Sequence, residues 1–237
     1  MKIVIPIAGK GLRLKQDIDH LPKALVPVKG KPMFHWAVAH LPGPYGNYLF
    51  ICLKDQVENY QLDRKLKEYL SDDIHIMVID NTTEGQACTV LLAEDFFKDH
   101  PLMIHNIDTY FQCDFSFTGR TDIAGAIPYY ESYDPAMSFL RLGDGEIVEE
   151  VAEKRVISSH ATVGLYYFSR GSDFCWAARE MIRKNIRVKD EFYVGPVYNE
   201  LINAGHKIVG VQADSMWDLG SPGKIQRFES DFNQPIT

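Results

Sequence analysis

Along the chain, uninterrupted apolar runs alternate with segments whose apolar positions recur every three or four residues. The runs at 3–8, 48–53, 74–79, 102–105 and 123–128 are too continuous for strands with one wet face, and predict buried parallel strands. Helical spacing covers 33–41, 57–70 and 86–97 between them. Strand and helix in alternation predict an α/β sheet joined by right-handed crossovers. Past residue 128 the rhythm changes. Strands are expected at 137–141, 147–152 and 161–168, with "GDG" at 143–145 as a tight turn between the first two. Helices return at 172–184 and 196–204, then a strand at 208–212 and a terminal helix at 222–233. The expectation is α/β: a mixed, mainly parallel sheet with flanking helices and a strand-rich insertion.

Composition narrows the function classes. The 237 residues are 46% hydrophobic and 24% charged, an ordinary globular balance. A formal net charge of -7 leaves no global basic field for nucleic acid or an anionic membrane surface, so neither is expected as a partner. No apolar stretch approaches the roughly 20 residues that span a bilayer, and the run at 3–8 is too short for a signal core. Cys52, Cys88, Cys113 and Cys175 are widely spaced, without a Cys-x-x-Cys pair. That pattern predicts reduced thiols and a cytoplasmic location. The eight histidines show no metal-binding spacing.

The stretch "AGKGLRLKQDIDHLPKALVPVKGKPM", Ala8 to Met33, follows the first strand directly. Gly9 and Gly11 let another group approach the backbone closely, and exposed N–H groups in such a turn cradle anionic oxygens. Arg13 adds a forked cation suited to phosphate, and Lys23 a compact one. A P-loop is excluded, because Lys10 is followed by Gly11 and Leu12. A dinucleotide fingerprint is excluded by Leu14 in place of its third glycine. On the loop alone, a Gly-rich turn with surface cations remains an alternative reading.

The whole stretch resembles the signature of the sugar nucleotidyltransferases, the nucleoside-diphosphate-sugar pyrophosphorylases. The shared elements are Gly-x-Gly-x-Arg, nine residues, a lysine, then "PK", "PV" and "KP" in order. Leu12 departs from the family's Thr or Ser. The resemblance implies that Ala8, Gly9 and Gly11 wrap a triphosphate while Arg13 and Lys23 carry the catalytic charge. Later segments match in order. "NTTEGQACTVLLA" supplies Glu84 and Gly85 where the family reads the base. "PLMIHNIDTYF" supplies Asn106 to the nucleotide and Asp108 to Mg2+, a hard ion that prefers oxygen ligands. "VAEKRVISSHATVGLYYF" supplies Glu153, Lys154, Gly164 and Tyr166 to the acceptor, with Arg155 where the family has proline. Lys189 stands where the family has a second phosphate-facing cation. "MWDLGSPGKI" gives Asp218 as the second metal carboxylate, with Ser221 in place of threonine.

The implied fold is Rossmann-like, one nucleotidyltransferase domain over 1–237. Its nucleotide-binding core is 1–128 with 205–237, and 129–204 forms the acceptor-binding part. The implied reaction, of class EC 2.7.7, joins an NTP to a sugar 1-phosphate or a similar phosphorylated alcohol and releases pyrophosphate. Mg2+ is the implied cofactor, surface polysaccharide synthesis the implied setting, and a homodimer the assembly expected by analogy. Three alternatives stay open: a GT-A glycosyltransferase, for which Asn106-Ile107-Asp108 is a partial metal motif; a cytidylyltransferase acting on a phosphoalcohol such as phosphocholine; and a non-catalytic nucleotide-binding or regulatory subunit. The aromatics Tyr129, Tyr130, Tyr133, Phe139, Tyr166 and Tyr167 suit either a core or a stacking surface. The residues leave the base and the acceptor undecided.

Overall fold

The computed structural model describes residues 1–9 and 21–233. Gly11 and Arg13 therefore lie outside the described residues. The first strand, β1 (Lys2–Pro6), is followed by the short strands β2 (Pro27–Val28) and β3 (Lys31–Pro32), which form a two-stranded ribbon. Helix α1 (Met33–Val38) leads to β4 (Tyr48–Leu53). Then come α2 (Lys54–Tyr60) and α3 (Leu62–Tyr69), broken at Gln61, whose φ of 53° is left-handed. After β5 (His75–Ile79), the expected helix over 86–97 divides into α4 (Gln86–Leu91) and α5 (Glu94–Phe97). The strands β6 (Leu102–His105), β7 (Thr109–Gln112) and β8 (Gly125–Glu131) follow.

β6, β1, β4 and β5 lie side by side, with β1 parallel to β6 and β4, and β4 parallel to β5. Their continuous apolar runs have a simple cause: alternate residues feed two different cores. Val4, Leu49, Ile51, Leu102 and Ile104 pack on one face of the sheet. Ile3, Ile5, Phe50, Cys52 and Met103 pack on the other. β5 departs from the expectation of burial. It is the sheet's edge, and Val78 is 48% exposed.

The second half of the chain adds antiparallel strands. They are β9 (Ser138–Leu142), β10 (Val148–Glu153), β11 (His160–Thr162) and β12 (Leu165–Phe168). Helices α6 (Gly171–Arg183) and α7 (Val197–Asn203) follow, then β13 (Ile208–Gln212), β14 (Ser215–Asp218) and α8 (Pro222–Asp231). In α6, Phe174, Ala177, Ala178 and Met181 recur at helical spacing and are all fully buried. The expected mixed sheet with flanking helices and a strand-rich insertion is present.

The expected strand over 161–168 is broken at Val163–Gly164, and the sheet forks there. β12 pairs with β6, while β11 pairs with β9. Both pair with β8, and β13 runs parallel to β8. β7 and β14 form a separate antiparallel ribbon. No helix among the described residues is long and apolar enough to cross a membrane. The four cysteines are free thiols, with Cys52 and Cys175 buried.

Candidate active site

A cleft of about 570 Å3 opens at the fork, beyond the carboxyl ends of β1 and β6. Open α/β sheets bind ligands at that end. Of the residues singled out in the sequence, Ala8, Gly9, Lys23, Gly85, Asn106 and Asp108 line it, as do Glu153, Gly164, Tyr166 and Asp218. Glu84, Lys154 and Lys189 are not in its wall.

Asp108 and Asp218 come from positions far apart in the chain and are aligned by the β7–β14 ribbon. Asp218 pairs in register with Thr109, the residue after Asp108, and Leu219 N donates to Asp108 O at 2.7 Å. A Cβ built on Gly220 would lie 2.8 Å from Asp218 Oδ1 and 3.1 Å from Asp108 Oδ2, so the two carboxylates converge on one point. Each already carries an ammonium partner. Lys23 Nζ donates to Asp108 Oδ2. Lys224 Nζ donates to Asp218 Oδ2 at 2.5 Å and to Asp134 Oδ2 at 2.8 Å. Burial opposes the charge of Lys224, but its bonds to Asp134 and Asp218 outweigh it and raise its pKa. Two convergent carboxylates, neutralised by cations, fit Mg2+, which takes one or two carboxylates and completes its shell with phosphate and water.

The floor of the cleft is the turn after β6. Gly164, at φ 80°, accepts on its carbonyl from Asn106 N at 2.9 Å. His105 Nδ1 lies 3.1 Å from the same oxygen, so that nitrogen carries the proton. A Cβ at Gly164 would meet Asn106 Nδ2 at 2.8 Å, so glycine is required for Asn106 to sit where it does. Gln86 Nε2 fixes Asn106 by donating to its Oδ1 at 2.6 Å. Burial pushes His105 down to about 4, so the ring is neutral. At the end of β1, Gln56 Nε2 donates to Ile7 O at 3.0 Å and to Gly9 O at 3.5 Å, which anchors the start of the opening loop.

Gly85 faces the cleft at the start of α4, and its back is pressed against another part of the chain. Phe192 N donates to Glu84 O at 2.9 Å, and Ala87 N donates to Phe192 O at 3.0 Å. The Glu84 side chain points outward and is paired with Arg187 at 2.6 Å. The guanidinium of Arg187 lies 4.1 Å over the Phe192 ring.

On the opposite wall, Glu153 is only 8% exposed and accepts from Ser138 Oγ. Burial, reinforced by the Glu153 charge, pushes the neighbouring Tyr166 phenol up to about 12. Lys154 has left-handed backbone, its N donates to Met137 O at 2.9 Å, and its Nζ meets the Tyr193 hydroxyl. Lys189, also left-handed, is exposed. Of the aromatics in the insertion, Tyr129, Phe139, Tyr166 and Tyr167 are buried, while Tyr133 is 73% exposed.

Sequence reasoning missed Lys224, Asp134, Gln56, Ser138 and Tyr193. Only Lys224 carried a usable signal. It lies in the first turn of α8, and helical side chains lean back toward the N-terminus, here toward Asp218.

No family model matches the chain. It is similar to the bifunctional protein GlmU of Methanocaldococcus jannaschii, at 25% identity over 231 residues, covering 95% of this chain and 52% of that protein. The chain thus spans about half the length of the curated relatives it matches. Among solved structures it is similar to the nucleoside-diphosphate-sugar pyrophosphorylase from Vibrio cholerae. The TM-score is 0.84 at 25% identity, over 97% of this chain and 100% of that one. It also shares its fold with the inositol-1-phosphate CTP transferase from T. maritima, with a TM-score of 0.72 at 12% identity, over 100% of this chain and 97% of that one. The cleft brings most of the ordered motifs together, and the chain is similar over nearly its whole length to these nucleotidyltransferases.

Proposed function

We propose that the protein transfers a nucleotidyl group from an NTP to a phosphorylated small molecule, a sugar 1-phosphate first of all, and releases pyrophosphate. The observation that carries this reading is the convergence of Asp108 and Asp218 on one point, beside Lys23 and at the mouth of the Gly9 loop. A phosphate oxygen of the acceptor attacks the α-phosphorus in line. A new P–O bond forms, the α–β bridging bond breaks, and pyrophosphate leaves with its electron pair. The nucleophile is already an anion, so the chain needs no general base. Alignment and charge neutralisation are what it must supply.

In this reading Ala8, Gly9 and Gly11 present backbone to the triphosphate, with Asn106 beneath it and Gly85 toward the base. Glu84 faces Arg187 and positions the base-reading loop through its backbone carbonyl, which Phe192 N holds. Lys23, now on Asp108, reaches the α-phosphate, and Arg13 takes the charge of the leaving pyrophosphate. Glu153 accepts from acceptor hydroxyls, Tyr166 closes that wall, and Lys154 and Lys189 serve the acceptor phosphate. Mg2+ held by Asp108 and Asp218 would neutralise the triphosphate and hold the two substrates in line. Residues 1–128 with 205–237 form the nucleotide part and 129–204 the acceptor part. A cytoplasmic homodimer supplying activated sugars for surface polysaccharide completes the proposal, and that setting rests on the resemblance alone.

The test is pyrophosphate release with Mg2+, using each of the four NTPs and dTTP against a panel of sugar 1-phosphates and phosphoalcohols. The phosphoalcohols are included because the T. maritima protein of the same fold is named for inositol 1-phosphate and CTP. Release with one pair establishes the reaction and both substrates. Silence across the panel, with hydrolysis of a finished NDP-sugar, would replace the proposal with a glycosyltransferase.

A further inference from the structure

Lys224 is not in the cleft wall, but its ammonium bonds Asp218, which is, and the family motifs give it no role. Its ammonium joins two carboxylates that belong to different parts of the chain, Asp218 at 2.5 Å and Asp134 at 2.8 Å. Asp218 Oδ1 accepts from Gly220 N at 2.6 Å, so Lys224 sits on the other oxygen, Oδ2. Asp134 is not in the cleft wall, but it organises the turn that is. Its Oδ1 accepts from Ala136 N at 3.0 Å and its carbonyl from Met137 N at 3.0 Å. Ala136 and Met137 line the cleft. One ammonium therefore ties a metal carboxylate to the turn that walls the acceptor side.

We propose that Lys224 is a resident counter-ion that competes with the divalent cation for Asp218 and withdraws to Asp134 when that cation arrives. This rests on Asp108 and Asp218 being the metal carboxylates. An ammonium on Oδ2 and a divalent ion held by the same carboxylate lie only a few ångström apart and repel each other strongly. With Lys224 in place, the cation binds weakly to the protein alone. It binds well once a triphosphate adds its own oxygens, so nucleotide and cation load together. Asp134 gives the displaced ammonium a partner and keeps its charge from being left unpaired.

The test uses Mn2+ as the probe, with no nucleotide present, and follows free Mn2+ by electron paramagnetic resonance. Lys224→Met should bind Mn2+ roughly tenfold more tightly than the unaltered chain. Asp134→Asn should bind it more weakly, because Lys224 then settles on Asp218 alone. Thermal melts confirm that each variant is folded. Opposite shifts cannot both come from loosened structure. Unchanged or weaker Mn2+ binding in folded Lys224→Met overturns the proposal, as does unchanged or tighter binding in Asp134→Asn. Asp218→Asn with undiminished Mn2+ binding overturns the metal reading beneath it.

Discussion

Gly9 and Gly85 both belong to loops expected to touch nucleotide, yet the structure gives them different reasons to be glycine. At Gly85 the reason is the chain itself. A Cβ there would lie 2.5 Å from Phe192 O and closer still to Phe192 N, where carbon–oxygen contacts normally begin near 3.3 Å. Gly85 also has φ 144°, a region that L side chains rarely adopt and that costs about 1–3 kcal/mol. Making room would part Phe192 from Glu84 and Ala87 and break two backbone hydrogen bonds, each worth about 0.5–1.5 kcal/mol. Gly85→Ala should therefore lose about 3–5 kcal/mol of stability, which at roughly 2–4 °C per kcal/mol lowers Tm by about 10 °C. Gly9 is the control. A Cβ there meets none of the described residues within 4 Å. Gly9→Ala should melt within about 0.5 kcal/mol of the unaltered chain while weakening nucleotide binding, because the added methyl crowds the phosphates. Differential scanning fluorimetry with and without NTP reads both effects. An unshifted Tm in Gly85→Ala, with only nucleotide affinity lost, would refute the reasoning and return Gly85 to the base.

Other outcomes follow from the same geometry. Lys23→Ala should lower turnover at least about tenfold with an unchanged melt, since among the described residues its ammonium bonds only Asp108; near-normal turnover would remove Lys23 from the mechanism. Asp108→Asn and Asp218→Asn should each lower Mg2+-dependent pyrophosphate release by about a hundredfold or more, and a variant that keeps normal metal dependence would exclude its residue as a ligand. His105 is buried neutral, with its pKa depressed from 6.5 to about 4. The unfolded chain therefore takes up this proton first as pH falls. The stability it confers is present above about 6.5 and is lost between 6.5 and 4, on the order of 3 kcal/mol. Melts across that range should show a shallower slope in His105→Asn, and an equal slope would rule out the ring as a contributor.

Much of the site was legible because its parts sit at the ends of apolar runs. Gly9, Asn106 and Asp108 follow runs whose strands proved buried on both faces, so their place beyond the sheet was fixed once the runs were read. Gly164 was legible as a residue, but not as the point where one strand becomes two and the sheet forks. The ribbon of β7 and β14 left no trace, because "TYFQ" and "SMWD" are short, mixed in polarity and paired across the length of the chain. Periodicity also cannot see edges. The run at 74–79 reads as buried, yet β5 has a neighbour on one side only. Nor could spacing show that Glu84 turns outward, since its partner Arg187 comes from a distant loop.

The pairing of charges in the cleft follows from two demands that oppose each other. A site for a divalent cation needs convergent carboxylates, and these repel each other in a cleft of reduced dielectric. A site for two polyanions needs cations, which repel each other as well. Setting Lys23 on Asp108 and Lys224 on Asp218 answers both, because each carboxylate the cation needs is neutralised by an ammonium that can be released to another partner. Arrival of cation and triphosphate then exchanges partners without exposing an unpaired buried charge, the costliest state such a cleft can reach. The arrangement implies that neither ligand alone is received well. Apparent Mg2+ affinity should tighten with NTP bound, and NTP affinity with Mg2+ bound, by the same factor. Calorimetric titrations in both orders measure that factor, and independent binding of the two would contradict the exchange.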